Sequence, residues 1–502
     1  MPDTNNNHSS PDIESVLAWL AAAPAADPQV ELVALCSQLA AATGGGMPAL
    51  QWLTVLELFQ VRTNNVSRGL KPLLLQATLP LSHRLRIVAQ GLIEAHGALA
   101  AGFGRVLREG PPDKLKGPKR NPAVLSTQTL GNLAEQQEVS LLVAAAPPHD
   151  LWRQAQLTVR FLKDGLPPSA ALSPDILGTD RALKRMLALA AGQPEGCAAA
   201  EVMFLADYLR SFAGAAEIRF VAPAETSSWF WLAEDREGPP TAFVRRPPPA
   251  GGNLLYFSCR SLAELAHQQL ERLAAGEEPA AIGLPAASAA DCRNFLQRAA
   301  GRWGAPAKRR AHRRRTSYRV QVCSDLEVLW RFLGGEGDLP GDQDASLTDW
   351  MVLNESAGGF AMMHVAGDVS GIIAGAALGI RTGTEPWRLC LVRWARSDNP
   401  EHVELGLELM APSAMAVQTV WPGGNSRLSP EPTLLLPSLP IRQRGEALMM
   451  ARGRYRAGRF TLVTEADGKL QVTECVAGDL AMQTARVDAF EFSRDFSPIA
   501  GL

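Results

Sequence analysis

The chain has 502 residues, more than one hydrophobic core normally serves, so roughly three or four domains are expected. Hydrophobic residues at 46% and charged residues at 20% describe a soluble globular protein. A net charge of -2 excludes a global field that draws the chain to nucleic acid or anionic lipid, so any anion site must be local.

Residues 1–125 read as a helical domain. Ser10 before Pro11 and Asp12 has the pattern of an N-cap with proline at the first helical position and an acid near the positive end of the dipole. Leu85, Val88, Leu92, Ala95 and Leu99 recur at three and four residues and so share one helical face. Gly44-Gly45-Gly46 and the prolines at 111 and 118 punctuate the region, and nothing in it carries a site motif.

Residues 126–304 are mixed α/β and close with two helices. Helical patterns cover Leu151 to Leu162, Arg181 to Leu189 and Val202 to Phe212. Trp229-Phe230-Trp231-Leu232 and Leu254-Leu255-Tyr256-Phe257-Ser258 predict strands, and a buried hairpin is the expected place for that aromatic cluster. Ser261 with Glu264 makes a capping-box signature, and Ser288 leads into Cys292, Phe295, Leu296, Ala299 and Trp303 on one stripe.

Residues 305–422 turn to β patterning. Between Lys308 and Arg319 lies a basic run that contains Arg315-Thr316-Ser317-Tyr318-Arg319, followed by an opening strand at Arg319-Val320-Gln321-Val322. A guanidinium is a planar fork that pairs bidentately with phosphate or with the O6/N7 edge of guanine. Alone, a basic run is as readily a solvated linker. Gly334 to Asp344 reads as an insertion between strands, which loop-closure entropy penalises only slowly. Then comes Asn354-Glu355-Ser356-Ala357-Gly358-Gly359, a polar turn whose Asn and Ser bond backbone or a ligand edge and whose Gly359 permits close approach. Gly359-Phe360-Ala361-Met362-Met363 continues as a strand. Trp387 to Trp394 and Val403 to Leu409 read as paired late strands, with Val403, Leu405, Leu407 and Leu409 alternating against Glu404, Gly406 and Glu408. Residues 423–502 form a further β region, with Arg459 to Thr464 and Lys469 to Cys475 flanking an Ala466-Asp467-Gly468 turn that predicts a hairpin, in a tail with the size of a second small barrel.

These residues resemble the PilZ family of bacterial cyclic di-GMP receptors, which is marked by RxxxR on a flexible segment before the first barrel strand and by (D/N)xSxxG on the barrel surface. Arg315 and Arg319 fit the first motif; Asn354, Ser356 and Gly359 fit the second, although the family's turn more often opens with Asp. The resemblance covers roughly a fifth of the chain and is carried by both motifs in order. It implies a PilZ-like antiparallel β-barrel, which with the N-terminal helical region, mixed middle region and small C-terminal β region read from patterning makes a multidomain α+β protein. It implies a cyclic di-GMP-binding receptor in which Arg315 and Arg319 clamp phosphate and guanine, Asn354 and Ser356 bond guanine edges, and Gly359 shapes the turn. Arg314 immediately precedes RxxxR, and an arginine there resembles members that hold an intercalated pair of ligands. Output would pass to a protein partner through the N-terminal region, toward motility, pili, adhesion or exopolysaccharide.

Two other classes stay open: a nucleic-acid-binding adaptor using the basic run, and a structural adaptor whose barrel holds no ligand. No nucleic-acid partner is expected, because the basic charge is local and the overall balance is not. Catalysis has no support, since the eight histidines form no HExxH or metal-like cluster with cysteine and no P-loop or GxSxG elbow occurs. No metal or cofactor is therefore expected. Seven dispersed cysteines without CxxC pairs, a polar N-terminus and no apolar run long enough to span a bilayer point to a cytoplasmic protein.

Overall fold

The structure is a computed structural model that describes residues 13–44, 47–110, 115, 120–165, 174–234, 237–306, 312–334, 347–366, 369, 371–399, 402–422, 430–439, 444–466 and 468–495. The chain divides into two compact units, one made of 1–77, 81–194 and 199–309, the other of 310–502 with 78–80 and 195–198.

The first unit begins with eight helices: α1 (Ile13–Ala21), α2 (Pro28–Gly44), α3 (Ala49–Leu74), α4 (His83–Glu109), α5 (Pro122–Leu142), α6 (Leu151–Gly165), α7 (Pro174–Ala191) and α8 (Ala199–Phe212). The Ser10 cap lies outside the described residues. On α4 the expected stripe points inward, with Val88, Leu92, Ala95 and Leu99 buried. The helix α5 is central. It starts at Asn121, whose side chain accepts from the Val124 amide at 2.9 Å ahead of a proline, and its second half is buried on every side. A helix buried all round is expected to be apolar, yet α5 buries Asn132, Gln137, Glu138 and Ser140. Glu138, fully buried, accepts from Lys71 at 2.7 Å, Arg185 at 2.6 Å and Arg210 at 2.8 Å, so α3, α7 and α8 supply the cations that make this burial tolerable. Because α5 runs straight through the boundary expected at residues 125 and 126, helices on both sides of it belong to one unit.

A four-stranded antiparallel sheet follows, of β1 (Glu217–Arg219), β2 (Trp229–Ala233), β3 (Thr241–Ala242) and β4 (Leu254–Ser258) in the order β1-β4-β2-β3. The two aromatic strands are neighbours, Trp231 opposite Tyr256, and Trp229 to Leu232 are all buried. The unit closes with α9 (Arg260–Ala274) and α10 (Ala289–Gly304). Ser288 caps α10, accepting from the Asp291 amide at 3.1 Å. The Ser261 cap is corrected: α9 starts two residues earlier, after Cys259, where the Ser258 hydroxyl accepts from the Arg260 amide at 3.3 Å.

The second unit holds two closed barrels. The first is built from β5 (Arg314–Cys323), β6 (Leu347–Ser356), β7 (Gly359–Ala366), β8 (Ala377–Arg381), β9 (Arg388–Asn399) and β10 (His402–Ala411), all antiparallel. The late strands pair as expected, with Leu405 opposite Ala395 and Leu407 opposite Val392. The alternation on β10 breaks at Gly406 for a steric reason: a Cβ there would sit 1.8 Å from the indole nitrogen of Trp394. Between β5 and β6 lies α11 (Leu326–Leu333), which periodicity did not predict; Asp325 caps it by accepting from the amides of Glu327 and Val328. The insertion expected from Gly334 to Asp344 falls, past Gly334, outside the described residues.

The second barrel comprises β11 (Met415–Val420), β12 (Glu431–Leu436), β13 (Ala447–Ala451), β14 (Gly458–Ala466), β15 (Lys469–Gln483) and β16 (Val487–Arg494). Its β14–β15 hairpin pairs Ala466 with Lys469, where the Asp-Gly turn was expected. The strand β11, within the span 305–422, is hydrogen-bonded in this second barrel. The barrels share one apolar layer: Leu389, Leu391 and Ala411 pack with Leu434, Leu436, Met449 and Val487, and Leu329 of α11 completes it.

Candidate functional site

The strand β5 positions the arginines. The sequence places RxxxR on a flexible segment ahead of the strand, and the structure corrects this: β5 already begins at Arg314, in register with β6, Arg314 opposite Glu355 and Arg315 opposite Asn354. A bulge follows between Arg315 and Tyr318, after which Arg319 faces Met351. The physical reason is alternation: Val320 and Val322 face the core while Arg315, Ser317 and Arg319 are exposed, so the arginines belong to the solvent face of the same pleat. Among the described residues neither the Arg315 nor the Arg319 side chain has a hydrogen-bond or ion-pair partner. Both forks remain available.

The second motif ends β6 and turns into β7. Ser356 pairs with Gly359, so Ala357 and Gly358 form a two-residue turn, and the Ser356 hydroxyl donates to the Gly359 carbonyl at 3.3 Å. Gly359 is required by close approach, since a Cβ there would stand 1.9 Å from the carbonyl oxygen of Leu407 on β10. Asn354 lies in the register position beside Arg315, and its Oδ1 is buried without a hydrogen-bond partner among the described residues. A buried amide oxygen left unpaired is costly, by about 1–3 kcal/mol. It is the kind of cost retained where a donor from outside completes the group.

Three residues that the sequence did not single out lie against this pair. Glu355 Oε1 accepts from Arg314 Nη2 at 2.8 Å and Oε2 from the Tyr318 hydroxyl at 2.9 Å. The Tyr318 hydroxyl, and after it Arg314, hold the Glu355 carboxyl below its ordinary range, while burial and then Glu355 push the Tyr318 phenol up. Arg388, which also acts on both groups, lies 5.2 Å over the Phe360 ring, donates to Thr382 Oγ1 at 3.2 Å, and has a buried Nε without a partner among the described residues. No periodicity or spacing marks Glu355, Tyr318 or Arg388; strand pairing alone brings them together.

His364 of β7 is set edge-on to Trp350 at 5.2 Å, and Arg309 and Arg310 of the basic run fall outside the described residues. Among the described residues no group of three or more His, Cys, Asp or Glu is arranged to hold a metal ion, and no helix is long and apolar enough to cross a membrane. Two exposed guanidinium forks on β5, one of them in register with an unpaired amide acceptor, and a hydroxyl on the turn have the chemistry to pair with an anion and with a base edge.

Two family descriptions match the chain. Residues 14–224 match "Cyclic-di-GMP receptor FimW, N-terminal domain", and residues 338–416 match "Cyclic-di-GMP receptor FimW, middle PilZ domain". The second match covers β6 to β10 with the Asn354 turn. No curated protein matches the chain.

Proposed function

The chain belongs to the PilZ family through its first barrel, and from that premise we propose that it is a cyclic di-GMP receptor whose site is formed by Arg315, Arg319, Asn354, Ser356 and Gly359. The observation that carries the reading is the unpaired, buried Oδ1 of Asn354 beside the open fork of Arg315. Guanine offers N1–H and N2–H donors on one edge and the O6/N7 acceptor pair on another. An amide oxygen takes the first and a guanidinium the second or a phosphate. Ser356 donates or accepts at the same edge, and Gly359 keeps the turn tight against β10.

Arg314 would contribute a further cation, as the resemblance to pair-binding members suggests, once it leaves Glu355. The region matching the receptor's N-terminal domain would carry the response to a protein partner, toward motility, pili, adhesion or exopolysaccharide. Calorimetric titration of the full chain with cyclic di-GMP, beside GTP, linear dinucleotide and oligonucleotide controls, tests the reading. Saturable binding of cyclic di-GMP alone supports it. Equal affinity for the oligonucleotide with steep salt dependence would transfer the site to nucleic acid. No binding of any of them would leave a structural adaptor.

A further inference from the structure

Glu355 occupies the variable position between Asn354 and Ser356, and both its carboxylate oxygens are taken by donors from β5. The two partners differ in freedom. Tyr318 is half-buried in the barrel wall, whereas the Arg314 side chain is 80% exposed and that of Glu355 only 26%. The carboxylate is thus anchored by the phenol and the guanidinium is the member that can swing away. Arg314 and Glu355 also face each other in the strand register, so they meet again whenever the guanidinium has no better partner.

We propose that Glu355 is an internal competitor for the phosphate of a bound nucleotide: it occupies Arg314 in the free protein, and Arg314 reaches the ligand only by leaving it. The inference rests on the receptor reading above. A phosphate oxygen makes the same charge-assisted bond to the fork that Glu355 Oε1 makes, so the exchange conserves the donor's bonding while leaving one carboxylate oxygen to water. An exposed cross-strand ion pair is weak, and opening it lowers affinity by only about two- to fivefold. Repulsion between the released carboxylate and the phosphate acts in the same direction. Glu355 therefore tunes affinity without blocking the site.

Two measurements on the full chain test this. Calorimetry with cyclic di-GMP should show Glu355→Gln binding about three- to tenfold more tightly than the unmodified protein, with the gain absent when Arg314→Leu is combined with it. A Glu355→Gln variant of unchanged affinity, or a gain that survives the loss of Arg314, overturns the proposal. Labelling with phenylglyoxal in the absence of nucleotide, read by peptide mass spectrometry, should modify Arg314 more slowly than Arg315 in the unmodified protein and equally fast in Glu355→Gln. Equal rates in the unmodified protein overturn the proposal even if the nucleotide binds. Unequal rates in a protein that binds no cyclic di-GMP overturn the receptor reading, and the competitor role with it, while retaining the ion pair.

Discussion

The side chains of the candidate site differ in exposure and in partners, and the predictions at this scale separate binding from folding. The Arg315 and Arg319 side chains are exposed and have no partner among the described residues, so Arg315→Ala and Arg319→Ala should leave the thermal midpoint unchanged. Each should weaken cyclic di-GMP binding on the order of a hundredfold, because truncation leaves ligand charge unpaired. Wild-type affinity in both would remove them from the site. Asn354 behaves differently, since its Oδ1 is a buried acceptor without a partner among the described residues. Asn354→Leu should abolish base-edge recognition without lowering stability, as removing an unpaired polar group is neutral or favourable. A large loss of stability in that variant would show that the amide is held by the fold and not kept for a ligand. In the helical unit, burial lowers the basicity of His96, whose Nδ1 lies 3.0 Å from Asn132 Oδ1 with Glu135, Glu138 and Lys71 around it. Its folded pKa lies below the unfolded value, so the unfolded state binds the proton first. Stability is therefore full above the ordinary histidine range and falls as pH drops through it. Thermal unfolding between pH 7 and 5 should be less pH-dependent in His96→Gln than in the unmodified protein, and equal slopes would place the dependence elsewhere.

At the scale of elements, α11 matters most for the second unit. Trp330 donates its indole N–H to the Val417 carbonyl of β11 at 2.7 Å, and Leu329, 1% exposed, reaches the position over Gly379 of β8 where a side chain would have collided with it. A short helix of eight residues has little intrinsic stability. It is held by what it packs on, and it closes the apolar layer shared by the two barrels. Leu329→Ala should cost about 2–5 kcal/mol, read from denaturant unfolding of the barrels. A cost below about 1 kcal/mol would mean that the layer closes without the helix. The arginine pair illustrates the same point for a strand: RxxxR is a sequence motif, but the ladder to β6 brings Arg315 beside Asn354.

For the whole molecule, Arg314 and Arg315 head β5 near the start of the main segment of the second unit. A ligand that engages this strand end should protect it, so saturating cyclic di-GMP is expected to slow trypsin cleavage between Lys308 and Arg315. Unchanged cleavage with ligand bound would show that the ligand does not engage this strand end. The matches to the N-terminal and middle domains of one receptor fall in the two units.

Sequence alone determined the features that rest on local periodicity and on motif spacing. The inward stripe of α4, the Ser288 cap, the aromatic strand pair, the late strands β9 and β10, the Asp-Gly hairpin and the turn that ends at Gly359 were all legible, because each is written within a few neighbouring positions. Other features required tertiary structure. The start of β5 at Arg314 depends on a partner strand, the polar burial along α5 on cations from three other helices, and the helix α11 on the barrels it joins. Glu355, Tyr318 and Arg388 were silent for the same reason: an ion pair across a ladder is set by register, and register is a property of two strands that neither carries alone.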